Sequence, residues 1–272
     1  MLSINELEVL AKNNHSEAQV ILGWMYDEGK GVTQNYQEAV KWYRLAADQG
    51  HAYAQNNLGC MYEDGKGVTQ NYQEALKWYR LAADQGEATA QNNLGCMYEN
   101  GKGVTQNYQE ALKWYRLAAD QGEANAQFSI GYMYENGKGV TQNYQEALKW
   151  YRLAADQGDA YAQNNLGYMY DEGKGVAQNY QEALKWYRLA ADQGNTIAQH
   201  NLGWSYYDGQ GVSKNIEMAY YWWLIASANA DAEDYGDFSE NRDLAASELV
   251  DSVCIRIQNE ARLWIEQRES EN

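Results

Sequence analysis

The sequence predicts an all-α chain, a solenoid of six helix-turn-helix units of 36 residues with a capping helix or helices at each end. Three observations predict it. A glycine returns in fixed register at Gly23, Gly59, Gly95, Gly131, Gly167 and Gly203. An alanine does the same at Ala39, Ala75, Ala111, Ala147, Ala183 and Ala219. Between these marks the apolar residues fall at helical spacing in two runs separated by a glycine turn. Such a unit can bury its apolar side only against its neighbours, and six copies in register are enough for a solenoid. The absence of proline and the 24 glycines suit helices joined by glycine turns.

Residues 1–15 read as a partial unit, a single capping helix. Leu7, Leu10 and Ala11 precede Asn14 and His15 as helix residues precede Gly50 and His51 one period later. The units then run 16–51, 52–87, 88–123, 124–159, 160–195 and 196–230. In the first, Ala18, Leu22, Met25 and Tyr26 share one side of a helix from about Glu17 to Asp27. Gly29-Lys30-Gly31 ends it, because two glycines let the backbone leave the helix. Asn35 is the expected N-cap of the second helix, and Glu38 completes a capping-box pattern kept at Asn71/Glu74, Asn107/Glu110, Asn143/Glu146 and Asn179/Glu182. This helix carries Ala39, Trp42, Tyr43, Leu45, Ala46 and Ala47. Gly23 and Ala39 are expected to let the paired helices approach, with Trp42 and Tyr43 filling the wider gaps between units. Glu38, Lys41 and Arg44 read as a solvated face, each pair contributing ~0.3 kcal/mol. The sixth unit departs from the rest, with an aromatic second helix around Tyr220-Tyr221-Trp222-Trp223. Asn229 to Asn241 is acidic and polar and reads as a loop, and Arg242 to Arg268 returns to helical spacing. Residues 231–272 are therefore expected to form an acidic loop and C-terminal capping helices.

Composition excludes several functions. The formal charge is -17, so the surface repels a phosphate backbone and nucleic acid is not an expected partner. Cys60 and Cys96 hold one repeat position and, with Cys254, read as free thiols. No apolar run reaches membrane length, and Met1 to Leu10 lacks the basic start and apolar core of a secretory signal. A cytoplasmic chain is expected, or a periplasmic or secreted one if a signal has been removed. His15 and His51 have no Glu or Cys at metal-ligand spacing, and the Gly-Lys-Gly-Val turns lack the spacing of a phosphate loop. No cofactor, metal or catalytic constellation can be selected, and the chain reads as no enzyme.

The repeat itself carries a resemblance. Ala52-x-Ala54-Gln55-x-x-Leu58-Gly59-x-Met61-Tyr62-x-x-Gly65-Lys66-Gly67-Val68, then Tyr72-x-x-Ala75-x-x-Trp78-Tyr79-x-x-Ala82-Ala83-x-x-Gly86, resembles the Sel-one-like repeat, a longer relative of the tetratricopeptide repeat. The match spans about residues 16 to 230, and the helix from Arg242 to Trp264 is similar to the tail of bacterial members. The resemblance implies a right-handed superhelix of antiparallel helix pairs whose first helices line the concave side. It also implies a scaffold or adaptor and no active site.

Where nearly identical repeats differ, the differences point to a partner. They concentrate at three positions of the first helix: Glu17, Tyr53, Thr89, Asn125, Tyr161, Ile197; Val20, Asn56, Asn92, Phe128, Asn164, His200; and Trp24, Cys60, Cys96, Tyr132, Tyr168, Trp204. These offsets share one helical face, the expected concave stripe. Its candidate partner-binding residues are Trp24, Tyr53, Asn56, Asn92, Phe128, Tyr132, Tyr161, Asn164, Tyr168, His200 and Trp204. The aromatics would anchor a peptide or helix of a protein partner, and the asparagines would hold its backbone. A competing reading packs the third position against the next repeat. An acidic edge including Glu63, Glu99, Glu135 and Asp171 is a second surface, suited to a basic partner. The expected function is a non-catalytic interaction module or adaptor; the alternative is a regulator or immunity-type inhibitor that occludes an enzyme or effector. A homodimer would join through Ile255, Leu263 and Trp264 of the C-terminal cap.

Overall fold

The computed structural model of the chain describes residues 3–229 and 235–271. Among these residues there are fifteen helices and no strand. They are α1 (Ile4–Lys12), α2 (Ser16–Glu28), α3 (Tyr36–Asp48), α4 (Ala52–Asp64), α5 (Tyr72–Asp84), α6 (Ala88–Asn100), α7 (Tyr108–Ala119), α8 (Ala124–Asn136), α9 (Tyr144–Asp156), α10 (Ala160–Glu172), α11 (Tyr180–Asp192), α12 (Thr196–Asp208), α13 (Ile216–Asn229), α14 (Tyr235–Ser247) and α15 (Asp251–Glu271). They gather into two compact units: residues up to Met133 with Gly137–Thr141, and Tyr134–Asn136 with Gln142 onward. In the first, α1 packs on α2, and the hairpins α2/α3, α4/α5 and α6/α7 stack in chain order. In the second, α9 packs on α10, the hairpins α10/α11 and α12/α13 follow, and α13 carries both α14 and α15. Stacked helix pairs make the fold an all-α solenoid, as the period predicts.

Each hairpin is shaped by its turn. Gly65 ends α4 in the left-handed region at φ 72°, and its N–H returns to the Met61 carbonyl. Gly67 follows at φ 70°, where a Cβ would lie 2.3 Å from the carbonyl oxygen of Tyr36 in the preceding hairpin. Only glycine fits a backbone that crosses another so closely. Asn71 then caps α5, its Oδ1 accepting the N–H groups of Gln73 and Glu74 at 3.1 Å each. The glutamate half of the expected capping box is redirected. Glu38 and Glu74 instead accept Lys41 and Lys77 on the same helix, at 2.9 and 3.5 Å.

The aromatic residues of the second helices fill gaps between repeats, and the tyrosines pack within their own hairpins as well. Tyr79 meets both kinds of gap: its ring lies on Gly59 of its own hairpin, where a Cβ would stand 2.6 Å from Tyr79 Cδ1, and it shares a core with Ala90, Leu94 and Met97 of the next repeat. Trp78 faces the preceding repeat, buried with Ala39, Ala46, Leu58 and Met61, just as Trp114 joins the core of the hairpin before it. Trp42 packs on Leu7, Ala11, Ala18 and Leu22, so α1 stands where a preceding second helix would. Arg44 is not a solvated surface residue. It is half-buried, donates to the Tyr62 hydroxyl of the next repeat and lies 5.5 Å from that ring. Arg80 repeats this with Tyr98 and also covers Trp114 at 5.4 Å.

A row of buried glutamines sets the stacking register. Gln55 is 4% exposed, and its Nε2 donates to the Ala47 carbonyl at the end of the preceding helix, 3.1 Å away. Gln19, Gln91, Gln127, Gln163 and Gln199 make the same bond to Ala11, Ala83, Ala119, Ala155 and Ala191. Each adds a second donor to a helix C-terminal carbonyl that already accepts a backbone N–H from the turn, as Ala47 does from Gly50 at 2.9 Å. One element falls where a loop is expected: α14 begins at Tyr235, and residues 230–234 of the acidic stretch lie outside the described residues. Phe238 and Ala245, buried at 5% and 0%, give this polar segment an apolar anchor.

Substituting Gly59→Ala drives a methyl into Tyr79, whose hydroxyl is tied to Glu63 at 2.9 Å. The expected loss is about 1–3 kcal/mol of stability, read from the urea midpoint by circular dichroism.

Candidate functional site

In the first unit the varying face of the first helices exposes Trp24, Tyr53 and Tyr132, with Tyr53 at 45%. Phe128 is half-buried. In the second unit Tyr161, at 65%, and Tyr168 are exposed, while His200 and Trp204 are half-buried. The asparagines sit deeper than a peptide-holding role requires: Asn56 is 4% exposed, Asn92 and Asn164 7%. Their amides are engaged along the stack. Asn93 Nδ2 donates to Asn56 Oδ1 at 3.0 Å, and Asn201 Nδ2 to Asn164 Oδ1 at 3.1 Å. Ser129 stands where the donor to Asn92 would come from, and Asn92 Oδ1 is buried without a hydrogen-bond partner in the protein.

The far end of the face is covered by the chain itself. His200 stacks on Phe238 of α14 at 4.3 Å, and Asn241 Nδ2 approaches its Nε2 at 2.8 Å. Trp204 packs edge-on against Trp223, 5.1 Å between centroids. In the C-terminal helix Ile255 and Leu263 are exposed, whereas Trp264 turns inward to Trp222 at 6.1 Å.

The turn lysines complete the exposed aromatics. Lys30 Nζ lies 4.7 Å from the centre of the Trp24 ring, and Lys138 Nζ 4.5 Å from that of Tyr132. Lys174 Nζ stands 4.3 Å from the Tyr168 centroid and donates to its hydroxyl at 2.9 Å. Where the aromatic is replaced by Cys60 or Cys96, the lysines pair with carboxylates, Lys66 with Asp64 and Lys102 with Glu63, both at 2.9 Å. The two thiols lie beside the hydroxyls of Tyr79 and Tyr115, and burial pushes their pKa up.

Much of the acidic edge is used internally. Glu63, Glu99 and Glu135 accept the hydroxyls of buried Tyr79, Tyr115 and Tyr151 at 2.9, 2.7 and 2.6 Å. Burial, followed by the neighbouring Cys60 and Cys96 and then these carboxylates, pushes the pKa of Tyr79 and Tyr115 far above the usual tyrosine range. Asp171 takes the same role for Tyr187 at a longer 3.3 Å. It lies in the wall of an open pocket of about 280 Å³, among Tyr168, Glu172, Asn201, Trp204 and Asp208. Among the described residues no group of three or more His, Cys, Asp or Glu is placed to hold a metal ion, and no helix is long and apolar enough to cross a membrane.

Hairpins stacked in fixed register, packing alike and varying on one exposed face, define a helical-repeat scaffold. The chain belongs to the Sel1 repeat family, whose model matches residues 16–51, 52–87, 88–123, 124–159, 160–195 and 196–231. It is similar to a solved Sel1 repeat protein from Oxalobacter formigenes, at 40% identity and a TM-score of 0.73 over 78% of this chain and 85% of that one. A sel1 repeat protein from Klebsiella pneumoniae subsp. pneumoniae aligns at 20% identity and a TM-score of 0.51, over 74% of this chain and 98% of that one. An immunity protein from Pseudomonas aeruginosa aligns at 21% identity and a TM-score of 0.51, over 79% and 81%. The last two likenesses show the fold alone. No curated protein matches the chain.

Two features of the face escape sequence reading. The pairing of turn lysines with aromatics requires the turn to fold back on its own helix, which spacing does not reveal. A second row, Leu45, Leu81 and Leu117 in one unit and Leu153 and Leu189 in the other, is 40–48% exposed on the second helices. It is invariant, so a search for variation passes over it.

Burial, then Glu172, raises the pKa of Asp171, against the lowering hydrogen bond from Tyr187. A carboxyl raised in the folded state destabilises the fold once ionised. That cost is absent below the unfolded pKa and grows as pH rises through the folded one. Asp171→Asn is therefore expected to raise the urea midpoint at pH 7, with the gain shrinking toward about pH 3.

Proposed function

We propose that the chain is a non-catalytic interaction protein whose first-helix faces hold a segment of a partner protein. One observation carries the reading: the repeats are nearly identical where they pack, and differ at outward positions occupied by Trp24, Tyr53, Tyr132, Tyr161 and Tyr168. Packing demands the same residues at every step of a stack, but an extended ligand presents a different group to each repeat. Exposed tyrosine and tryptophan supply large contact area at small entropic cost, as binding hot spots do. The buried asparagines then serve as the rigid floor of the face, and the aromatics as its contacts.

Adaptor and occluding inhibitor use such a face alike and differ in what becomes of the partner. The immunity protein of Pseudomonas aeruginosa shares the fold at 21% identity, which gives the inhibitor reading a precedent in shape only. Affinity capture from the source cell, with wild type beside the Tyr53→Ala/Tyr132→Ala double variant and quantified by mass spectrometry, tests the face. A direct partner should fall by about tenfold or more with the variant, with helicity retained. Equal recovery of every partner by both forms would overturn the reading. An enzyme among the partners that loses activity when held would favour the inhibitor, and several partners recovered together the adaptor.

A further inference from the structure

The turn after the first helix reads Gly-Lys-Gly in five repeats, at Lys30, Lys66, Lys102, Lys138 and Lys174, and Gly209-Gln210-Gly211 in the sixth. The lysines have an internal use. Lys102 Nζ reaches back to Glu63 of the preceding repeat at 2.9 Å, and Lys138 Nζ to Glu99 at 3.7 Å. The carboxylate in that register of the fifth repeat is Asp171, and the residue brought to it from the sixth is the neutral Gln210. Among the described residues no lysine or arginine lies within 4 Å of Asp171 to form an ion pair.

The same register can be compared between two places in the molecule. In the first unit Asp27, Asn57, Cys60, Asp64 and Lys66 line a space of about 60 Å³. In the second unit the matching Asp171, Asn201, Trp204, Asp208 and Gln210, with Tyr168 and Glu172, line the pocket of about 280 Å³. The larger pocket differs in two respects that favour a cation: the internal ammonium is gone, and an indole replaces a thiol. Lys174, held on the Tyr168 ring, does not line it.

We propose that the pocket between α10 and α12 receives a lysine side chain of the partner protein, in the place that the third and fourth repeats fill with Lys102 and Lys138. Asp171, Glu172 and Asp208 would neutralise the ammonium, and Trp204 and Tyr168 would flank its methylenes and charge. The assignment rests on the first-helix face being the docking surface, and names the chemistry that one part of it recognises.

The probe is the tetrapeptide acetyl-Gly-Lys-Gly-Val-amide, with norleucine in place of lysine as its control. The full-length ¹⁵N-labelled chain is titrated with each, following the Trp204 indole resonance assigned through Trp204→Phe. The lysine peptide should shift this resonance saturably, less at high salt, and the norleucine peptide should not. Gln210→Lys restores the internal ammonium in a turn that tolerates lysine in five repeats, so it should fold and weaken the peptide about tenfold, as should Asp171→Asn. Equal shifts by both peptides, or unchanged affinity in Gln210→Lys, would overturn the assignment. The two readings fail separately. A partner lost with Tyr53→Ala/Tyr132→Ala while Gln210→Lys leaves peptide affinity unchanged keeps the docking face and removes the pocket. Peptide binding at Trp204 with every partner retained by the tyrosine variant does the reverse.

Discussion

A glutamine amide reaching eight residues back to the last turn of the preceding helix is the contact on which the stacks depend. A helix end leaves carbonyls without intrahelical partners; the Ala47 carbonyl takes one bond from the turn N–H of Gly50 at 2.9 Å and keeps a second lone pair for the glutamine. Gln55 and its equivalents make that second bond only if the next hairpin arrives in one register, because an amide reaches a carbonyl over a narrow range of distance and angle. Apolar burial between Trp78 and the preceding core favours stacking but is less exacting about its offset. The glutamine supplies the offset. Gln85 then holds the Gln55 carbonyl oxygen at 2.7 Å, so the end of the second helix fixes the amide that the first has aimed, a bond that Gln199 of the sixth repeat lacks.

Register has consequences for the surface. Because the hairpins repeat without slippage, position 24 of one repeat recurs as Cys60 and Cys96, then as an aromatic. The glycine turn repeats beside it and brings its central residue, lysine in five repeats, next to that position or to the carboxylates around it. Side chains distant in sequence therefore meet in a pattern that a single repeat does not contain, as Lys102 meets Glu63 and Asn93 meets Asn56. The core has little freedom here: a methyl at Gly59 or Gly203 meets an aromatic ring below 3 Å. Exposed positions such as Tyr53 and Tyr161 can change without disturbing the stack, whereas a change at the buried Asn56 position alters contacts along it.

This explains what could be read from the sequence and what could not. The helices, their glycine ends and the asparagine caps depend on neighbours within a few residues, and the period itself dictates stacking. The exposure of Tyr53 and Tyr161 follows from helical phase alone. Contacts between repeats were hidden. Asn56 looks like a ligand-holding polar residue until Asn93 is placed against it. Arg44 looks solvated until Tyr62 of the next repeat is placed under it. Tyr79 meets two interfaces at once, its own hairpin at Gly59 and the next repeat at Leu94 and Met97, and apolarity alone does not separate them. At the C-terminal end the polar composition of Tyr235–Ser247 masks a helix anchored by two buried residues, Phe238 and Ala245.

The same reasoning gives meaning to a lone departure from an exact repeat. A change in a packing position is constrained by the hairpin on either side, but a turn residue answers only to the groups it reaches. Lysine at that turn neutralises a half-buried carboxylate of the repeat before it, as Glu63 and Lys102 show. Replacing it by Gln210 leaves Asp171 charged, half-buried and beside two aromatic rings, a less stable arrangement for the chain alone. Such a carboxylate gains more from an arriving ammonium than one already paired, since the desolvation has been met in folding. Loss of an internal ion pair thus converts a structural contact into a recognition element at one step of the stack, without altering the register that presents it.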